Sequence, residues 1–305
     1  MKTIENRRTE LDILRLAAML AVIATHLCGG PVKALDLSSV AFAQLNSLRA
    51  ATTWDVPVFV MISGCLFLAP EKRITLGEIY KKYIWHLVVC FVVWSAVFQV
   101  WYFVTSDHHL NLKGIISEFL IGPYPFWYIF MLVGLYMIVP FLRTFAQDRK
   151  LVGYFLFLFI AGEFLANYGV HLPGLGATLE QIIGKSYFHF ALGFTGYYLL
   201  GHYLSHSEIS TKKEIMLYVL GITCVVFTCV ATTWQSRVEG AYNEWFSKYL
   251  MPNVIIESAA IFIFFTKRVS KLSFSDHTRA VWKTLSTLGL GVYLTHALVI
   301  EVCLP

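Results

Sequence analysis

Asp12, Arg15 and His26 lie inside one apolar run, LDILRLAAMLAVIATHLC at residues 11–28. Ionisable groups within a membrane span are costly, and by default they mark a function. Arg15 and His26 are eleven residues apart, about 1100° on a helix, or roughly 20° beyond three turns, with a rise of about 16 Å. Both therefore fall on one stripe and are separated by about half the hydrocarbon thickness of a bilayer. A cation at one end and an imidazole at the other suit a long anionic donor that carries an acyl group. Taken singly, each residue also has a plainer role: Arg15 reaching the inner interface and pairing with Asp12 three residues earlier, and His26 lying at the outer interface.

The elements that must position these residues are membrane helices. The 305-residue chain is 57% apolar and 14% charged, with mean hydropathy +0.63, whereas soluble domains are about 25% charged. This length allows one membrane domain, residues 1–305, with no soluble catalytic module. The net charge of +5 arises from basic residues scattered through short loops, a pattern of topology and not of a nucleic-acid-binding face. Cys28, Cys65, Cys90, Cys224, Cys229 and Cys303 mostly sit in apolar runs. They have no zinc-ligand spacing, so they read as small buried hydrophobes and no metal is expected. Arg7 and Arg8 precede the first run, but Glu10, Asp12 and Arg15 intrude and no small-residue cleavage site follows. The N-terminus therefore reads as a retained span and not a cleaved signal.

Apolar windows near bilayer length predict an all-α, polytopic helix bundle with about nine spans. They fall near 12–28, 53–69, 83–105, 126–143, 151–168, 187–204, 215–235, 251–266 and 284–303. The stretch 40–51, with Gln44, Asn46 and Arg49, is expected to extend the second helix or lie at the interface. With the N-terminus in the cytoplasm, 18 of the 24 basic residues fall inside and 6 outside, as the positive-inside rule requires. Nine spans then place the C-terminus outside. The loop 168–186, rich in Gly and Pro, and the loop 103–125, with Asp107, His108 and His109, are either parts of an outward mouth or plain connections.

Five ordered blocks resemble the acyltransferase-3 family of integral membrane proteins. The first is Arg15, ten residues, His26. The others are VPVFVMISGCLFL (56–68), FWYIFMLVGLYMIVPFL (126–142), FALGFTGYYLLGHYL (190–204) and LSTLGLGVYLTH (285–296). The wording is most similar to the subgroup that acetylates surface polysaccharides and their lipid-linked precursors. Members usually have a tenth span after the Tyr-Leu-x-His helix, whereas the sequence here ends at Pro305.

The resemblance implies transfer of an acyl group, usually acetyl, from cytoplasmic acyl-CoA to a hydroxyl of a glycan or lipid-linked saccharide at the outer face of a bacterial cytoplasmic membrane. CoA is a polyanion, so Arg15, Lys72, Arg73, Lys81 and Lys82 are expected at its phosphates; the lysines could equally serve topology alone. His26 would take the proton from the attacking hydroxyl or carry the acyl group itself. Asp12 would orient Arg15. His296 either lines the same cavity or is a satisfied core histidine. Glu257, with Asn253 on its face, would pair with a histidine or bind a substrate hydroxyl, and Glu163 is a weaker candidate. Trp127, Tyr128 and Tyr136 would stack on sugar or form an interfacial belt. Ser63-Gly64 reads as a place of close helix approach. The alternative function is a multispan exporter of polysaccharide or small solute, which would use the same buried polar residues as a path.

Overall fold

A computed structural model of the protein describes residues 7–105, 111–186 and 192–303. Asp107, His108, His109 and residues 187–191, which open one expected span, lie outside them. The helices in chain order are α1 (Thr9–Gly29), α2 (Pro31–Ala34), α3 (Val40–Ala50), α4 (Asp55–Phe67), α5 (Leu76–Glu78), α6 (Trp85–Thr105), α7 (Leu112–Ile121), α8 (Trp127–Ala146), α9 (Arg149–Asn167), α10 (Gly176–Lys185), α11 (Phe194–Ser205), α12 (Thr211–Glu239), α13 (Pro252–Lys267) and α14 (Asp276–Cys303). There is no strand among the described residues.

Helix starts follow local chemistry. Ser39, Asn111 and Asp148 accept hydrogen bonds from the first free amides of α3, α7 and α9, the usual role of an N-cap side chain. Thr75 and Glu78 form a reciprocal capping box. Gly240 ends α12 at φ 70°, a left-handed conformation that suits glycine.

Eight helical segments among the described residues are long and apolar enough to cross a membrane: Thr9–Ala34, Val40–Phe67, Leu76–Thr105, Tyr124–Ala146, Arg149–His171, Thr211–Glu239, Trp245–Lys271 and Asp276–Cys303. They account for eight of the nine expected spans. Of the remaining one, 187–204, the described part is α11, with 12 residues. The stretch 40–51 extends the second span, as one of the two expectations had it. It is α3, joined to α4 through turn residues 51–54 within one apolar segment. The expected loop 168–186 contains α10, and 103–125 contains α7.

The chain folds as two compact units, Met1–Ala69 with Phe145–Gly289, and Pro70–Thr144 with Leu290–Pro305. In the first, α11 packs along α4 and α12 along α13, while α1 meets α3, α4 and α13. Lipid tails are as apolar as leucine, so such helices associate through close packing and polar ties. The α4–α11 pair uses close packing. A Cβ on Gly64 would fall 1.8 Å from the Tyr198 carbonyl oxygen, and one on Gly201 2.1 Å from that of Met61. The close approach expected at Ser63-Gly64 is therefore present, and Ser63 Oγ donates to the Phe59 carbonyl in its own helix at 3.1 Å.

Polar ties join α12 to its neighbours. Asn46 Nδ2 donates to Thr233 Oγ1 at 2.8 Å and Asn253 Nδ2 to Thr228 Oγ1 at 2.6 Å, each worth about 0.6–2 kcal/mol in a membrane. In the second unit Leu87, Phe98, Phe126, Ile129, Leu132, Leu294 and Ala297 form the core.

Candidate active site

α1 is helical without interruption from Thr9 to Gly29, so Arg15 and His26 share the stripe that their spacing predicts. Asp12 is buried, with 4% exposure, and two cations hold it. Arg7 grips both carboxylate oxygens at 2.6 and 2.8 Å, and Arg15 Nη1 reaches Oδ1 at 3.2 Å. The same Nη1 donates to Ser286 Oγ on α14 at 2.8 Å. Arg15 is thus aimed by two fixed acceptors and does not trail freely along the helix.

Near the other end of α1, His26 is half-buried between buried Thr25 and exposed Leu27. Thr25 Oγ1 shares a hydrogen bond with Thr52 Oγ1 at 2.9 Å, which ties α1 to the turn between α3 and α4. Non-helical backbone at membrane depth is tolerated where protein or a cavity surrounds it, and both threonines are buried here.

Glu257 on α13 is 1% exposed, and neither carboxylate oxygen has a hydrogen-bond partner among the described residues. Its charged neighbour is the Asp55 carboxyl of α4, not a histidine. Asp55 is fully buried and accepts from the Val56 amide at 2.5 Å.

Asn253 and Glu163 are taken up in structure. Tyr168 donates to Asn253 Oδ1 at 2.7 Å, and Asn253 donates to Thr228 and Phe246. Glu163 is buried and accepts from the Gly193 amide at 2.7 Å and Asn167 Nδ2 at 3.0 Å. It closes the N-terminus of α11, where the unpaired amides and the helix dipole favour a carboxylate.

The remaining expected residues belong to the second unit. Lys72 and Lys82 both face the Tyr83 ring, with Nζ 5.5 and 5.4 Å from its centroid. Arg143 donates to the Lys72 carbonyl. Burial pulls the Lys72 ammonium below the usual lysine value, and the charges of Lys82 and Arg143 pull it further. The nearby Glu78 carboxylate works in the opposite direction on Lys72. Arg73 and Lys81 are exposed. Lys81 and Lys82 sit on a π-helical turn, Ile79–Ile84, a rare geometry often found at functional sites.

Tyr136 meets Tyr83 edge-on at 6.1 Å, and Tyr128 packs edge-on between Trp127 and Tyr293 at 6.4 and 5.5 Å. Trp127 itself is 39% exposed. His296 is buried, and its Nδ1 donates to the Tyr293 carbonyl at 2.5 Å, which fixes its tautomer.

Four participants escaped the sequence reading. Asp55 had a signal, as a carboxyl inside an expected span. Arg8 lay outside the apolar run, and it donates to Glu10 at 2.7 Å and to Cys65 Sγ at 3.0 Å. Ser286 and Glu244, the partner of Arg49 at 2.6 Å, are ordinary residues far along the chain from what they touch, and no local pattern reveals them.

Among described residues no group of three or more His, Cys, Asp or Glu side chains could hold a metal ion. The family described as "Acyltransferase domain" matches residues 8–303. No curated protein matches the chain, nor does any solved structure.

Proposed function

Since the chain belongs to the acyltransferase family matched over residues 8–303, we propose that it is an integral membrane O-acyltransferase that moves acetyl from cytoplasmic acetyl-CoA to a hydroxyl of a surface glycan or lipid-linked glycan precursor. It would act in a bacterial cytoplasmic membrane with its N-terminus in the cytoplasm. The observation that carries this reading is the α1 stripe, with Arg15 aimed by Asp12 and Ser286 and His26 three turns along the same helix.

A phosphate of the donor is held by the Arg15 guanidinium in charge-assisted hydrogen bonds, and the donor's long arm runs along α1 toward His26. The imidazole takes the proton of the acceptor hydroxyl as that oxygen attacks the thioester carbonyl. The tetrahedral intermediate collapses with cleavage of the C–S bond, and the CoA thiolate leaves and recovers the proton from the imidazolium. In the covalent variant the imidazole nitrogen first takes the acetyl group, CoA leaves, and the hydroxyl then attacks the acyl-imidazole. Within the second unit, the cations Lys72, Lys82 and Arg143 would by themselves attract a donor phosphate. Family membership favours transfer over export.

Purified protein in detergent should release thiol from acetyl-CoA slowly without acceptor. His26→Ala should lose this by ~10²-fold or more while its thermal unfolding is unchanged. Equal turnover by the folded variant overturns the proposal.

A further inference from the structure

A cavity of about 210 Å³ opens in the first unit beside the His26 end of α1, lined by Thr25, Arg49, Thr53, Glu244, Lys248 and Tyr249. The α3–α4 turn supplies Thr53 and the segment before α13 supplies Lys248 and Tyr249. Three features of this wall point to a ligand. Arg49 is committed to Glu244 through Nη2 only, at 2.6 Å, and its Nε is buried without a hydrogen-bond partner among the described residues. The Arg49 guanidinium also lies 5.9 Å from the Tyr242 ring centroid, so the planar group is held in place in the wall. Lys248, also in the wall, makes no ion pair among the described residues, and its Nζ is held 4.1 Å from the Trp245 ring centroid. The remaining wall is rich in hydroxyls.

Two cations against one carboxylate leave an excess positive charge facing the space. Its volume lies under the roughly 300–1,000 Å³ of sites that hold drug-sized ligands, which suits one sugar ring, the rest of a glycan lying outside it. Hydroxyls and a planar Arg–Glu pair suit the alternating donors and acceptors of a sugar, and the surplus cation suits an acidic substituent. Glu244 in the wall favours a monoanion over a dianion, since like charges repel. We infer that this cavity is the acceptor subsite, and that it takes a single sugar unit bearing a carboxylate. The inference rests on the acyl-transfer reading for the word acceptor, but the binding claim stands apart from it.

The test is saturation-transfer NMR on the full chain in detergent with methyl glucuronide and methyl glucoside as probes. The glucuronide should bind, with the glucoside at least ~10-fold weaker, the typical effect of losing one charge-assisted contact. Lys248→Gln, an exposed position, should weaken the glucuronide ~10-fold. Glu244→Gln should tighten it several-fold. Equal binding of the two sugars, or no binding of either to folded protein, overturns the proposal, and so does a Glu244→Gln variant that weakens the acid. Thiol release from acetyl-CoA by the unmodified protein is read alongside. Its absence with the glucuronide still bound contradicts the transfer reading and leaves the binding claim supported.

Discussion

Arg15 is valuable for geometry as much as charge. Its Nη1 meets Asp12 and Ser286 at once, and a lysine ammonium on a flexible stem cannot present a planar fork to the same two acceptors and to a phosphate. Arg15→Lys should therefore raise KM for acetyl-CoA ~10-fold with a smaller change in kcat, while Ser286→Ala, which removes only one aiming contact, should have a milder effect in the same direction. A fall in kcat with KM unchanged would place Arg15 at the reacting atoms instead. Lys72 adds a pH dependence. Its ammonium is held below the usual lysine value by burial and by Lys82 and Arg143. If its charge holds a donor phosphate, affinity for acetyl-CoA is full below that lowered value and falls as pH rises through it, earlier than for an ordinary lysine. Lys72→Arg should abolish the early fall, because arginine stays protonated. An identical pH profile in the variant would detach Lys72 from the donor.

Helix contacts obey the membrane rule that small residues let backbones approach. Gly64→Ala should lower the midpoint of thermal unfolding, with a cost of at least the ~1–3 kcal/mol of overpacking, because its Cβ would overlap the Tyr198 backbone. Gly134→Ala is the control, since nothing lies within 4 Å of its added Cβ and alanine favours the helix. Equal midpoints for the two variants would contradict the packing. At this scale the sequence was legible where one helix sufficed. The unbroken α1, its Asp12–Arg15 pair and the close approach at Ser63-Gly64 follow from spacing and residue size alone. The turn between α3 and α4 was not legible, because ATTW at 51–54 carries no Gly or Pro to mark a break. What holds it is a partner distant in sequence, through Thr25 and Thr52. Glu163 shows the same limit: its role as a cap for α11 depends on Gly193, thirty residues on.

Over the whole molecule, composition and the recurrence of apolar windows announced the polytopic helical architecture, and five ordered blocks announced the family that matches residues 8–303. The division into two units was not legible, since it regroups helices far apart in sequence. It also sorts the candidate residues: Asp12, Arg15, His26 and Glu257 fall in one unit, and Lys72, Arg73, Lys81, Lys82, Trp127, Tyr128, Tyr136 and His296 in the other. The proposed orientation predicts that a cysteine at Glu71 reacts with an impermeant reagent only from the cytoplasmic side, and one at Ser38 only from the outer side. The reverse pattern would invert the topology and strand His26 at the wrong face.

If His26 moves an acyl group onto a surface glycan, the decisive experiment is mass spectrometry of that glycan from cells carrying the unmodified protein or His26→Ala at matched membrane levels. Acetyl-mass increments should appear with the former and be lost with the latter. Identical acetyl content in the two would refute a role for His26 in the transfer.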